Sequence, residues 1–168
     1  MWDGKGNGPR LGVRPTAGVP MGTRSGDLDP GLVLYLAKTE DMTAEQFHRM
    51  VNHESGLLGI SETSSDVRDL LGSEANDVRA AEAVALFCYQ VKKWIGAFAA
   101  ALGGLDTLVF AGGIGENAPL VRERICDGLG FLSIELDHKR NTRTALLISP
   151  DATRVSVPVM PTDEDART

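Results

Sequence analysis

Val78, Ala81, Ala85, Cys88, Val91, Trp94, Ile95, Phe98 and Leu102 recur at spacings of three and four, and Gly103-Gly104 closes the run. This pattern predicts one long helix from about Glu74 to Leu102, ended by glycine. Apolar residues also fall on its neighbouring faces, at Leu86, Phe87, Ala97, Ala100 and Ala101. A helix apolar over most of its girth is expected to be buried on more than one side. The rest of the chain must therefore be arranged around it, or around it and a subunit interface.

Beyond the glycines the period changes. Thr107 to Ala111 is a short continuous apolar run, as expected of a buried strand. Gly112-Gly113-Ile114-Gly115 follows, then a helix from about Ala118 to Gly128 with Asn117 as its cap. Phe131 to Leu136, Ala145 to Ile148 and Arg154 to Met160 are further strand candidates, with Pro158 suggesting an edge or a strand end. Upstream, Asp29-Pro30 reads as a helix start with proline at the first helical position. Thr43 to Gln46 fits a capping box before the stripe Phe47, Met50 and Val51. Gly56 to Ile60 breaks the helical pattern, and Ser64 or Ser65 caps a short helix, Asp66 to Leu71, ended by Gly72. Residues 1–20, rich in glycine and proline, form an irregular lead-in. A helix-rich half thus precedes a strand, a loop, a helix and three strands: α/β or α+β, with a small sheet.

The whole chain has 168 residues, one domain's worth. Its 17 Lys+Arg against 23 Asp+Glu give a net charge of −6, which opposes a nucleic-acid backbone. No apolar run approaches the roughly 18 residues of a membrane span, and the start lacks the apolar core of a secretory signal. Two cysteines, Cys88 and Cys126, are too few for a disulfide framework and read as core residues. The expectation is a soluble, cytoplasmic protein with no nucleic-acid or membrane partner.

Four segments could carry chemistry. In Phe110-Ala-Gly-Gly-Ile-Gly-Glu-Asn117, glycines leaving a strand would let a ligand approach the backbone, or would simply make a tight turn. Met21-Gly-Thr-Arg-Ser-Gly-Asp-Leu-Asp-Pro30 frames an arginine with glycines. Arg24 could grip a phosphoryl oxygen there, with Asp27 and Asp29 orienting it or holding Mg²⁺, or the segment could be a turn with a helix cap. Ser64-Ser-Asp-Val-Arg-Asp69 is a capped helix start with solvated charge, and Pro161-Thr-Asp-Glu-Asp165 an acidic tail. His48, His53 and His138 show no partner spacing.

In this order the four segments, with Ser55-Gly-Leu-Leu-Gly-Ile-Ser61 and Val121-Arg122, resemble the acetate kinase family over about residues 17 to 165. The resemblance implies the sugar kinase, Hsp70 and actin superfold (the ribonuclease H-like group), of which this chain would match the truncated C-terminal domain, residues 21–165. It implies reversible, in-line phosphoryl transfer from ATP to acetate, with Mg²⁺ as cofactor and a nucleotide and a short-chain carboxylate as ligands. By resemblance Arg24 matches the catalytic arginine. Asp66, Val67 and Arg68, and then Gly113, Ile114, Gly115, Glu116 and Asn117, match the nucleotide-binding segments, Val67 standing where an aromatic is usual. Glu164 matches the Mg²⁺-linked glutamate, and Asp165 replaces its neighbouring glutamate. The family's N-terminal domain has no counterpart here, so the chain is expected to be inactive alone. It would pair with itself as a homodimer around the long helix, or with a missing N-terminal half. The alternative is a non-catalytic fragment serving as a weak nucleotide-binding or dimerisation module.

Overall fold

A computed structural model of the chain describes residues 17–162, and helices dominate it. Helix α1 spans Gly31–Thr39, α2 Ala44–His53, α3 Gly56–Ser61, α4 Val67–Ser73 and α5 Val78–Leu102. Strand β1 (Phe110–Ala111) leads into α6 (Gly112–Asn117), α7 (Pro119–Cys126), α8 (His138–Thr142) and β2 (Val159–Met160).

The local chemistry explains most of these boundaries. Asp29 accepts the Gly31 N–H at 2.7 Å, and Pro30 already has helical dihedrals, so the aspartate-proline start stands. At α2 both arms of the capping box form between Thr43 and Gln46. Helix α5 is capped by Asp77, whose carboxylate takes the Arg79 and Ala80 N–H groups, so it starts at Val78, a few residues after the expected Glu74. It ends where Gly103 turns left-handed and Gly104 N–H reaches back to Ala99 O at 2.9 Å.

Several expectations need correcting. Gly56 to Ile60 does not break the chain into a loop: it is helix α3, entered through Gly56 at φ +63°. The cap of α4 is Asp66, not Ser64 or Ser65, because its carboxylate takes the Arg68 N–H, and the helix continues past Gly72 to Ser73. Asn117 caps nothing; it closes α6, donating to Gly113 O at 3.0 Å, and the glycines before it are helical. Phe131 to Leu136 is no strand, since bonds from Leu132 N–H to Leu129 O and from Ser133 N–H to Gly130 O curl it into a 3-10 turn.

The sheet is smaller than expected. β1 and β2 pair in parallel, Phe110 opposite Val159, with a parallel bridge from Thr107 to Ser156 and an antiparallel one from Leu147 to Pro158. Ser156 N–H donates to Asp106 O, Leu108 N–H to Ser156 O and Phe110 N–H to Pro158 O. The next rung would need an N–H at residue 158, which proline lacks, and regular strand begins only at Val159.

Leu57, Val67 and Leu70 pack with Ala80, Val84 and Cys88 of α5, and with Val121 and Ile125 of α7, in one core that Ile134, Ile148, Val155 and Val157 complete. Helix α5 is not buried all round. Its core residues are Ala80, Ala83, Val84, Cys88 and Ala99, while Tyr89, Phe98 and Leu102 stay exposed because no described element covers that side.

Candidate functional site

The core brings the start of α4 against α6. Between them lies an open cavity of about 480 Å³, lined by Ser65, Asp66, Val67 and Arg68 on one wall and Gly113, Ile114, Asn117 and Ala118 on the other. Two segments 45 residues or more apart in sequence thus meet in one place. Val67 is 3% exposed and Ala118 8%, so the cavity has an apolar floor.

Its charged wall is self-compensated. Asp66 accepts the Arg68 backbone N–H at 2.8 Å and the Arg68 guanidinium at 3.1 Å. These bonds hold the Asp66 carboxyl down to about 2, and the same pairing raises Arg68. Asp66 is thereby committed to capping α4 and orienting Arg68. Ser64 steadies the turn, accepting the Asp66 N–H and donating to Asp69.

Arg24 reaches this region through its loop. Leu57 N–H donates to Met21 O, Leu58 N–H to Gly22 O and Ser55 N–H to Thr23 O, so the start of α3 holds the loop along three successive carbonyls. A β-carbon on Gly22 would meet Ser65 O at 3.0 Å, so the Arg24 loop and the cavity wall touch there. Asp27 and Asp29 do not orient Arg24: Asp27 takes the Gly18 N–H and Asp29 caps α1. Arg24 is half-buried, its Nη1 4.0 Å from Met21 Sδ.

Gly115 and Glu116 serve the framework in place of the cavity lining. Gly115 packs on Phe110, where a β-carbon would lie 3.3 Å from the Phe110 carbonyl carbon. Glu116 accepts the N–H and hydroxyl of Thr162, which also lowers the Glu116 carboxyl. The start of the Pro161-Thr162 segment is therefore pinned to α6. Glu164 and Asp165 lie outside the described residues. Among the described residues no three His, Cys, Asp or Glu side chains converge to hold a metal ion.

The sequence marks Arg122 only as part of the Val121-Arg122 resemblance, with no role of its own, yet it is the buried polar residue that holds α6. Its side chain is fully buried; Nη1 donates to Gly115 O and Glu116 O at 2.7 and 2.8 Å, Nε to Asn141 Oδ1 at 2.8 Å, and Nη2 to Asn141 O at 2.9 Å. Burial lowers its proton affinity. A signal existed: Arg122 sits beside Val121 within the apolar stripe of α7 that includes Ile125 and Cys126. Ser65 and Ala118, which also line the cavity, carried no chemical signal of their own.

The sequence pattern of the Acetokinase family matches residues 2–167. An acetate kinase of Clostridium botulinum is 45% identical over 167 residues, covering 96% of this chain and 42% of its own length. A propionate kinase of Citrobacter rodentium is 44% identical over 163 residues, covering 96% of this chain and 40% of its own. The crystal structure of Porphyromonas gingivalis acetate kinase superposes with a TM-score of 0.86 at 42% identity, over 90% of this chain and 39% of that one. The chain thus spans about two-fifths of the length of the relatives it matches.

Proposed function

The chain belongs to the acetokinase family, and we propose that it supplies the nucleotide-binding, C-terminal side of an ATP-dependent carboxylate kinase. The observation that carries this reading is the cavity between α4 and α6. Its apolar floor of Val67, Ile114 and Ala118 suits a flat base, and Arg68 at its edge suits the anionic remainder of the nucleotide. Val67 offers area without an aromatic face, so the base is held by contact and exclusion of water.

On this reading Arg24 acts on the transferring phosphoryl group, and the contact of its loop with the cavity wall, Gly22 against Ser65, supports that role. An arginine stabilises phosphoryl transfer only when donor and acceptor are held opposite it. The chain covers about two-fifths of its relatives, and on this reading the acceptor, acetate or another short carboxylate, is held by the part of the family's fold outside that match. Mg²⁺, implied by the family relation, neutralises phosphate charge when bound. By resemblance Glu164 would hold it; the described residues alone do not make a metal site. The carboxylate side of the site would come from the rest of a family protein or from association of chains, for which the uncovered Tyr89, Phe98 and Leu102 of α5 offer apolar area.

The test is acetyl phosphate formation from acetate and Mg-ATP, trapped with hydroxylamine, beside calorimetric titration with Mg-ADP. The reading predicts saturable Mg-ADP binding and no acyl phosphate from the 168-residue chain alone. Product that vanishes in Arg24→Ala would show that these residues build a whole site. Absence of nucleotide binding would overturn the reading itself.

A further inference from the structure

Arg122 is fully buried, yet every acceptor around it is neutral: two backbone carbonyls of α6, the carbonyl and amide oxygen of Asn141, and the Thr144 hydroxyl at 3.3 Å. Among the described residues no aspartate or glutamate pairs with it, whereas some less buried arginines have such partners, as Arg124 has Glu74 and Arg140 has Asp151. A buried cation without a carboxylate is costly, because desolvation is repaid only by hydrogen bonds. Its five N–H donors are all engaged, which no neutral side chain could match, so α6 is held at the cost of burying a charge.

Its position supplies a reason. Gly115 and Glu116, whose carbonyls it grips, lie between the cavity-lining Ile114 and Asn117. Its own N–H donates to Ala118 O at 3.2 Å, and Ala118 lines the cavity too. The guanidinium thus holds the α6 backbone directly beside residues that line the cavity. Arg68 at the cavity edge is exposed and paired with Asp66, so its charge is partly offset and open to screening, and the chain as a whole carries −6. A positive potential that salt does not screen needs a second source, and one set in low dielectric acts over several ångströms.

We propose that Arg122 is a positioning residue that holds α6 and whose buried charge, paired with no carboxylate among the described residues, gives the cavity its preference for a nucleoside polyphosphate over a neutral nucleoside. This rests on the nucleotide reading of the cavity and adds the source of its anion selectivity.

The experiment compares the affinities of ATP and adenosine, by calorimetry on the full chain, for wild type and Asn141→Asp. The substitution is isosteric and places a carboxylate on Arg122 Nε without moving the arginine. Loss of the bond from Asn141 Nδ2 to Pro119 O is its cost to the fold, monitored by circular dichroism. The expected result is a loss of about tenfold in ATP affinity with less than about twofold change for adenosine. Equal losses for both, or none for either, would overturn the proposal. Should Asn141→Asp not fold, salt dependence of the wild type decides. The ATP preference should persist at about 1 M salt, where exposed Arg68 is screened and a buried charge much less so; its disappearance would overturn the proposal. A wild type that binds both ligands equally refutes the inference alone, whereas one that binds neither refutes the nucleotide reading with it.

Discussion

Glu116 Oε1 accepts both the backbone N–H and the hydroxyl of Thr162, at 2.8 and 2.7 Å. One carboxylate on α6 thereby fixes the chain leaving β2. The bonds favour the ionised form, so the Glu116 carboxyl is lowered from its ordinary 4.5, with Thr162 the first cause. A lowered acid contributes its stabilisation above its unfolded value and loses it as pH falls through the folded one. Thr162 should therefore stay docked at neutral pH and be released below pH 4.5, seen as faster hydrogen exchange of its amide than intrinsic acid behaviour explains. Glu116→Ala should show fast exchange at every pH.

Gly56→Ala should be among the most damaging single changes. Gly56 has φ +63°, and a β-carbon there would collide with the carbonyls of Met21 and Arg24. A loss of about 2–4 kcal/mol is expected in urea unfolding, combining left-handed strain with displacement of the Arg24 loop.

Arg124 and Glu74 form a two-armed pair, 2.7 Å on each arm, between α7 and the turn before α5. The Arg124 guanidinium lowers the Glu74 carboxyl. A double-mutant cycle of Glu74→Gln and Arg124→Gln should give a coupling of about 1 kcal/mol near pH 7. The coupling should fade as pH drops below the ordinary glutamate value of 4.5, because protonation ends the charge pairing.

Burial pushes the Cys126 thiol up to about 12 and raises Cys88 as well, and both side chains are in the core. Neither should react with a thiol reagent at pH 8 in the native protein. Both should react in denaturant.

The helices were legible wherever a local rule operates: a capping box at Thr43, an aspartate before Pro30, the glycine pair after Leu102. Residues 112 to 117 were legible as a glycine-rich turn out of a strand but not as helix, because α6 owes its form to packing on Phe110 and to Arg122 on its last carbonyls. Phe131 to Leu136 looked like a strand by its apolar content, yet Ser133 at φ +63° and two short-range bonds bend it. The candidate site was legible as two separate segments, and their meeting depends on the long-range packing of α4 and α7 on α5. Glu116 was read as a ligand contact; its bond to Thr162 crosses 46 residues and leaves no local trace.

Gly113 offers the most direct test. It lines the cavity, and a β-carbon built on it meets nothing within 4 Å, so Gly113→Leu should fill the cavity without disturbing α6. Calorimetric titration of Mg-ADP should show saturable binding to the wild type and none to a Gly113→Leu protein of unchanged circular dichroism. Equal binding by the two proteins would place the nucleotide elsewhere and contradict the assignment of this cavity.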